Sequence, residues 1–292
     1  MKQFFVLAVF LVGLQVCYAQ KTDHKLKRKV AELIKGFNGE IGIYIKNLRT
    51  GKVVAINADT VFPTASMVKI PIMLGVIDKM NKGELNYHQP LVYNDSLLYA
   101  GVDILGSFKN NERIELSKVL MLMLSTSDNT ASLWLQFLAG TGTRINEIMQ
   151  ELGYANTRVN SRTVGREEKR TMYGWGQTTP FEMANIIERI YRKKIFNDSS
   201  CIRMMRLLSR NYWDEEGLSS IPPTIEVFSK NGAVNASRSE VMLVNAPHMP
   251  YVFCIITKNN KDQSWGATNE AWTLTRRLSS LLWNHFEPEL KF

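Results

Sequence analysis

Strand-forming segments lie at the two ends of this chain, and helical patterns fill the part between them. Runs rich in β-branched and aromatic residues occur near the start, at residues 41–47 and 52–57, and near the end, at residues 226–230, 240–245 and 251–258. Isolated pairs of short strands are barely stable in water, so these runs need a larger sheet. The pattern therefore predicts one antiparallel sheet of about five strands, completed by both chain ends.

Amphipathic helices are predicted on both sides of these strands. Apolar residues recur at helical spacing in two terminal segments: Val30, Leu33, Ile34 and Phe37 in the first, and Leu274, Leu278, Leu281 and Leu282 in the second. Residues 63–208 are dominated by helical patterns. We expect an α/β (α+β) fold in one functional unit, residues 20–292. Its α/β lobe would contain residues 20–60 and 210–292, and an inserted all-helical lobe would contain residues 61–209.

Residues 1–19 have the pattern of a secretory signal peptide. One positive residue, Lys2, precedes an apolar run, and the small residue Ala19 ends the segment. The run is too short for a convincing transmembrane span. We expect cleavage after Ala19 and a mature protein that is periplasmic or secreted. Lipid attachment at Cys17 is the alternative, which the bulk of the preceding Val16 disfavours.

The chain is basic, with a formal net charge of +9. Its basic residues are spread along the sequence, so solubility explains the charge at least as well as attraction to acidic cell-wall polymers or an anionic membrane face. Cys201 and Cys254 would remain after removal of the leader, and an oxidising compartment would permit a disulfide between them. Cys254 lies in an apolar run, however, so we favour two buried thiols. The cysteine spacing fits no zinc pattern, and we expect no metal site.

Three short motifs, far apart in the sequence, carry groups suited to acyl transfer through a serine ester: Ser66-Met67-Val68-Lys69, Ser127-Asp128-Asn129 and Lys230-Asn231-Gly232. The spacing of Ser66 and Lys69 places both side chains on one face of a helix. A serine hydroxyl is a weak nucleophile and needs a base within hydrogen-bond reach. An unprotonated Lys69 can be that base if burial or a nearby cation lowers its pKa, and Lys230 is a candidate cation.

The elements around the motifs predict a cleft between the lobes. Ser66 is expected to begin a helix of the inserted lobe, and Lys230 to lie on a strand of the sheet. Ser127 falls between helical stretches at 114–124 and 130–138, so we expect its motif on a loop that closes a third wall. Asp128 precedes a helix, and we interpret it as mainly a structural cap.

In order and identity, these motifs resemble those of the penicillin-recognising serine enzymes, most closely the class A β-lactamases. The resemblance covers the chain from about residue 40 to the C-terminal helix. It implies that Ser66 is the nucleophile and that Lys69 is the general base or proton relay. It also implies that Ser127 passes a proton to the leaving nitrogen.

The resemblance further implies how a substrate would be held. Asn129 would bind the substrate amide, and Lys230 would polarise Ser127 and help to bind the substrate carboxylate. The oxyanion would be met by the backbone N–H groups of Ser66 and Ala233. Asn231 and Gly232 belong to the same binding strand.

Arg238 lies eight residues after Lys230, at the start of the next predicted strand. It is a candidate second anchor for the carboxylate; the alternative is a solvated charge at the sheet edge.

Two positions depart from the family pattern. Asn231 stands where a threonine or serine is usual, although its amide can still donate to a carboxylate. The glutamate that activates the deacylating water falls on Thr163, which cannot act as a base near neutral pH. The position of the amide that holds this water falls on Glu167. The arginine and aspartate that brace the loop match Ser161 and Gly176.

Glu167 is our candidate for the missing base because it lies four residues after Thr163, one helical turn away. Glu168 is a weaker candidate. The alternative is that Glu167 is a surface carboxylate in a run of charged residues. If neither glutamate serves, acylation would proceed and deacylation would be slow.

The leading hypothesis is a class A-like serine β-lactamase that hydrolyses β-lactams through an ester on Ser66. The second is a peptidase or transpeptidase acting on D-alanyl-D-alanine ends, and the third is a penicillin-binding sensor or scaffold with slow turnover. We expect a small-molecule substrate, a β-lactam or a peptidoglycan peptide, with no cofactor and no nucleic-acid partner. The mature chain is expected to be a monomer without a membrane span.

Overall fold

The computed structural model describes residues 21–101, 103–290 and 292 of the chain. The predicted signal peptide, residues 1–19, and the alternative lipidation site, Cys17, lie outside these residues. Within the described part of the chain, every helix is too short or too polar to cross a bilayer.

The strands are grouped toward the chain ends, with short ones between. In chain order they are β1 (Glu40–Asn47), β2 (Val53–Ile56), β3 (Phe62–Pro63), β4 (Pro90–Val92), β5 (Arg113–Glu115), β6 (Arg158–Val159), β7 (Gly176–Thr178), β8 (Val227–Val234), β9 (Ser237–Val244) and β10 (Tyr251–Lys258).

Most helices lie between β3 and β8 in the sequence. In chain order they are α1 (His24–Leu33), α2 (Lys69–Asn81), α3 (Leu116–Met121), α4 (Asn129–Leu138), α5 (Thr141–Glu151), α6 (Glu167–Tyr173), α7 (Pro180–Tyr191), α8 (Asp198–Leu208) and α9 (Glu270–Phe286). Local sequence explains several starts. Thr179 caps α7 by accepting a hydrogen bond from the backbone of Glu182, and Pro180 occupies the first turn, where no backbone donor is needed.

The main sheet confirms the predicted fold class. It is five-stranded, with order β2-β1-β10-β9-β8, and every neighbouring pair is antiparallel. β1 pairs along its whole length with β10, so the two ends of the chain are joined in the middle of the sheet. β8, which carries the third motif, is an edge strand.

The sheet separates two hydrophobic cores. Alternate residues of β10 point to opposite faces, as the strand period requires: Val252, Cys254 and Ile256 join the core shared with α2, α4 and α7, whereas Tyr251, Phe253 and Ile255 join the core shared with α1 and α9. Cys201 and Cys254 are both buried free thiols, as favoured from the sequence.

The helical middle differs in detail from the prediction. It contains short strands, and the stretch 114–124 is not one helix. Ile114 lies in β5, which pairs with β4, and a π-helical segment, Leu122–Thr126, follows α3. Pairing between residues distant in sequence, which local periodicity does not reveal, decides these segments.

Candidate active site

Ser66 lies at a strained turn that leads into α2. A 3₁₀ segment, Ala65–Val68, precedes the helix, and Ala65 has a positive φ of 46°. Such a conformation is costly for a residue with a side chain and persists only where the surroundings fix it. Thr64, Ala65 and Met67 are buried around the half-buried serine. The turn therefore holds Ser66 at the surface of a closely packed segment.

Lys69 begins α2 and is fully buried beneath Ser66. Its Nζ lies 3.1 Å from the Ser66 Oγ, 2.7 Å from the Ser127 carbonyl oxygen, 3.0 Å from the Ser127 Oγ and 2.8 Å from the Asn129 Oδ1. A neutral amine has two N–H donors and one lone pair. It can therefore donate to Ser127 and Asn129 while its lone pair accepts the Ser66 hydroxyl.

Burial lowers the pKa of Lys69 to about 7, although the carboxylates of Asp103 and Asp128 favour its charged form. The sequence analysis considered burial or a cation at Lys230 as the cause. Burial is the dominant one, because a charge removed from water loses its hydration. An amine with this pKa is partly unprotonated near neutral pH, as a general base must be.

Ser127 turns the chain sharply between two helices. It follows the π-helical segment with a φ of 62°, and Asp128 then caps α4. The Asp128 carboxylate accepts hydrogen bonds from the backbone of Ala131 at 2.7 Å and of Leu105 at 2.9 Å. Asp128 thus has the structural position expected for it, and it directs Ser127 and Asn129 toward Lys69.

The third motif forms the opposite wall on β8. Lys230 is fully buried and donates from Nζ to the carbonyl oxygen of Asn231 at 2.8 Å and to its Oδ1 at 3.2 Å. Among the described residues, it makes no hydrogen bond to Ser127, so the expected contact between them is not formed here. A side chain on Gly232 would place its Cβ 2.7 Å from the Ser66 nitrogen and 2.9 Å from the Thr64 carbonyl oxygen. Glycine therefore lets β8 approach the turn that carries Ser66.

These elements border an open cleft of about 610 Å³. Ser66, Asn129 and Ala233 line it, as does Tyr173. Two further aromatic residues outside the three motifs, Tyr99 and Trp175, also line it. Their rings contact edge to face at a centroid distance of 5.1 Å. No motif in the sequence points to either residue. None of the described residues that line the cleft is an aspartate or a glutamate.

Arg238 does not join this group, which corrects its assignment as a carboxylate anchor. Its guanidinium is buried and donates to the carbonyl oxygens of Val234, Asn235, Ser237 and Ser264. It also lies over the rings of Trp265 and Trp272. It is not a solvated edge charge either. The next residue, Ser239, faces the site and donates to the Thr64 carbonyl at 3.0 Å, because strand neighbours point to opposite faces.

Thr163 and Glu167 also lie away from the cleft lining. Thr163 is buried, donates to the Ser161 carbonyl and packs closely on Gly142 of α5. Glu167 is exposed and begins α6, where it accepts from the backbone of Gly165. The two residues are not one turn apart on a helix, because α6 starts only at Glu167. Glu168 is also exposed in this first turn.

In the described part of the chain, no group of His, Cys, Asp and Glu side chains is arranged to hold a metal ion. The polar groups that converge on Ser66 are instead a lysine, a hydroxyl and an amide. Together they can activate a serine and pass its proton to a leaving group.

Comparison with known proteins gives concordant matches. The model of the Beta-lactamase enzyme family matches residues 25–286. The chain is 22% identical to Beta-lactamase VEB-1 of Pseudomonas aeruginosa, over 96% of this chain and 97% of that protein. It is 20% identical to the Extended-spectrum beta-lactamase PER-1 of the same organism, over 84% and 83% of the two chains.

The fold is also shared with solved structures. A mutant of PBP-A, described as an acyl-enzyme complex with penicillin-G, superposes with a TM-score of 0.81 at 23% identity. The match covers 92% of this chain and 98% of that one.

Proposed function

Because this chain belongs to the Beta-lactamase enzyme family, we propose that it is a serine hydrolase that opens β-lactam rings through an ester on Ser66. One observation carries the proposal: the buried Lys69 Nζ lies 3.1 Å from the Ser66 Oγ. Burial lowers the pKa of this amine to about 7, so the base and the nucleophile are already paired. The related β-lactamases VEB-1 and PER-1 support the substrate class.

Acylation follows from the arrangement of these groups. Lys69 takes the hydroxyl proton as the Ser66 Oγ attacks the lactam carbonyl carbon, and a C–O bond forms. The oxygen that becomes negative is met by the N–H groups of Ser66 and Ala233, whose donation is worth several kcal/mol, about 3 for one donor. Ser127, 3.0 Å from the Lys69 Nζ, passes the proton to the leaving nitrogen as the C–N bond breaks.

Substrate binding is assigned to the remaining motif residues. Asn129 faces the cleft and has the amide needed to hold a substrate amide group. Lys230 and Asn231, joined by a hydrogen bond, are proposed to bind the substrate carboxylate. Gly232 allows the strand that carries them to lie against the nucleophile.

Deacylation is the slow half of the proposed reaction. Attack of water on the ester needs a base, but Thr163 offers only a hydroxyl that donates to the Ser161 carbonyl, and Glu167 is exposed and accepts from the Gly165 backbone. Lys69, once it has passed on its proton, can accept one from water, because its Nζ lies 3.1 Å from the Ser66 Oγ. We therefore expect the Ser66 ester to accumulate during turnover.

The same observation favours a second candidate function. A site that acylates readily and deacylates slowly also suits a D-alanyl-D-alanine peptidase or transpeptidase that penicillin inhibits, or a penicillin-binding protein. The shared fold of PBP-A, which forms an acyl-enzyme with penicillin-G in its mutant form, is consistent with this alternative.

We further propose that the protein is secreted or periplasmic after cleavage at Ala19 and that it acts as a monomer. The two-lobe division, with residues 61–209 as the helical lobe, remains part of this proposal.

Electrospray mass spectrometry of the intact protein tests the function. The purified mature chain is mixed with a penicillin or a cephalosporin and sampled over time, while product is measured in the same samples. An adduct on Ser66 that decays as product accumulates supports the β-lactamase. A stable adduct without product supports the second candidate. No adduct, with Ser66→Ala indistinguishable from the wild type, would rule out both.

A further inference from the structure

Glu240 is a buried carboxyl group on the strand next to the proposed carboxylate-binding residues. It lies on β9 directly opposite Asn231 of β8. The Cβ atoms of such opposed residues are about 5 Å apart. Asn231 in turn accepts a hydrogen bond from the Lys230 Nζ at 3.2 Å. Lys230 itself is opposite Val241, the residue after Glu240, so the Lys230 and Glu240 side chains leave neighbouring positions of the hairpin on opposite faces of the sheet.

The Glu240 carboxyl group is incompletely paired. The residue is 1% exposed, and its Oε2 accepts a hydrogen bond from the Gly217 backbone at 2.9 Å. Its Oε1 is buried and has no hydrogen-bond partner among the described residues. Leaving such an atom unpaired costs free energy, so a buried group of this kind calls for an explanation.

Lys230 likewise has no ion-pair partner among the described residues. It is fully buried, and no carboxylate oxygen of the described residues lies within 4.0 Å of its Nζ. Burial and the nearby Lys69 lower its pKa well below the usual value, whereas Glu240 raises it. Burial likewise raises the pKa of Glu240 to about 8, whereas Lys230 lowers it. Each group thus favours the charged form of the other.

Other charged groups around Glu240 do not replace this coupling. Glu216 lies nearby and favours the neutral form of Glu240, but Glu216 is itself paired with Arg276 of α9 at 3.4 Å. Arg238, two residues before Glu240 on β9, is occupied by backbone carbonyl oxygens. The Cys254 thiol on β10 stays neutral, because burial raises its pKa well above the usual value.

We propose that Glu240 is a positioning residue: it provides the counter-charge that lets Lys230 become protonated when a substrate carboxylate binds. This inference rests on the proposed function, in which Lys230 and Asn231 hold that carboxylate. In the empty site, burial favours neutral Lys230 and protonated Glu240. Two interacting groups of this kind titrate as a pair, and the proton that they share belongs to both.

When an anion binds, Glu240 loses its proton and Lys230 gains one, so the pair still holds one proton in total. The O–H bond of Glu240 breaks and its proton leaves to solvent, while Lys230 takes a proton from solvent and forms an N–H bond. The ammonium group then faces the substrate carboxylate, and the carboxylate of Glu240 balances it from behind. Carboxylate recognition is therefore independent of pH while the pair holds one proton.

Removal of the Glu240 carboxyl group makes carboxylate recognition depend on pH. In Glu240→Gln, Lys230 has no internal counter-charge, so charging it requires net uptake of a proton. Recognition of a carboxylate should then weaken as the pH rises, by up to about tenfold per pH unit. Glutamine keeps the shape and can still accept from the Gly217 backbone, so a purely structural role for Glu240 predicts no such change.

The test compares benzylpenicillin with its neutral methyl ester. The second-order rate of Ser66 acylation is measured for both by quenched mass spectrometry between pH 6.5 and 9, and the acid-to-ester rate ratio is plotted. Titration of Lys69 affects both probes and cancels in the ratio. We expect a flat ratio near neutral pH in the wild type and a falling ratio in Glu240→Gln, about tenfold lower at the alkaline end.

Glu226→Gln is the matched control, because Glu226 is an exposed carboxylate just before β8. Its ratio should follow the wild type. A Glu240→Gln ratio that also follows the wild type would overturn the inference while leaving the proposed function intact. Failure of both probes to acylate the wild-type protein would instead refute the proposed function.

Discussion

Close backbone approach at Gly232 is what brings the strand and the nucleophile together. A Cβ at this position would lie 2.7 Å from the Ser66 nitrogen and 2.9 Å from the Thr64 carbonyl oxygen. Both are backbone atoms, which cannot move aside as a flexible side chain can. The glycine of the third motif is thus explained by space rather than by chemistry of its own.

We expect Gly232→Ala to lower the rate of Ser66 acylation by at least about 100-fold, because it displaces an oxyanion donor. The free energy of unfolding should fall by only about 1–3 kcal/mol. Stopped-flow acylation and urea denaturation measure the two effects. Gly266→Ala, where the added Cβ meets open space, is the control and should change neither. Normal acylation by Gly232→Ala would show that β8 does not contribute to the oxyanion site.

The low pKa of Lys69 predicts an acidic limb in the acylation rate. Because burial lowers this pKa to about 7, the unprotonated base is lost as the pH falls below that value. The rate should then decrease about tenfold per pH unit. The neutral penicillin ester is the appropriate probe, since it does not depend on Lys230. In Lys69→Arg, acylation should be nearly abolished at every pH, and a pH-independent wild-type rate would exclude Lys69 as the base.

Substitution of Glu167 tests whether this residue takes part in deacylation. If Glu167 were the deacylation base, Glu167→Gln would lengthen the lifetime of the acyl-enzyme at least about tenfold. Since Glu167 is exposed and its Oε1 accepts a hydrogen bond from the Gly165 backbone, we expect the lifetime to change less than about twofold. Glu168→Gln serves as the comparison. The lifetime is measured by mass spectrometry of the decaying adduct. A tenfold longer lifetime in Glu167→Gln would show that Glu167 takes part in deacylation.

At the scale of elements, one turn arranges two motif side chains. The π-helical segment Leu122–Thr126 ends in the left-handed Ser127, and α4 begins immediately after Asp128. The Asp128 carboxylate ties this turn to the loop at Leu105 and is 2% exposed. The junction between the π-helical segment and α4 therefore depends on Asp128, for which no chemical step is proposed.

We expect Asp128→Ala to lower the free energy of unfolding by about 2–4 kcal/mol, because α4 loses its cap and the buried N–H of Leu105 loses its acceptor. Asp128→Asn, which keeps one acceptor oxygen, should lie between this variant and the wild type. Urea denaturation gives the values. The exposed Asp59→Ala should be close to neutral, and an equally small effect for Asp128→Ala would contradict the capping role.

In the whole molecule, the two faces of the main sheet have different roles. The site lies on the face that packs against α2 and α4, whereas α1 and α9 cover the opposite face with a separate core. Pairing of β1 with β10 ties the first and last strands together. Substitutions in the second core should therefore act on folding and leave the native site unaltered.

Leu278 of α9 is fully buried in that second core. We expect Leu278→Ala to lower the free energy of unfolding by about 2–5 kcal/mol through loss of burial and creation of a cavity. The acylation rate of the folded fraction at 25 °C should stay within about twofold of the wild type. Leu281→Ala, at a partly exposed position, should cost less. A large loss of acylation rate in folded Leu278→Ala would show that the two faces are coupled.

Features that depend on local spacing and composition could be predicted from the sequence alone. Composition predicted the five strands of the main sheet, because its central strands are buried on both faces and therefore form apolar runs of the residues that strands prefer. The three-residue spacing of Ser66 and Lys69 predicted their contact, because one helical turn fixes it. The position of Asp128 before α4 likewise followed from the chemistry of helix caps.

Other features were seen only in the assembled fold: which side chains face the site, where some elements begin, and how deeply residues are buried. The two-residue turn at residues 235–236 sets the register of β8 with β9, which places Glu240 opposite Asn231 and puts Arg238 on the face away from Ser239. The strands predicted from the sequence ended at residue 230 and began again at residue 240, so they did not include this turn. The start of α6 at Glu167 separated that residue from Thr163. The low pKa of Lys69 comes from complete burial, which arises only when distant elements close around it. Contacts within one turn are encoded locally, whereas the charge state of the groups that do the chemistry is set by the whole fold.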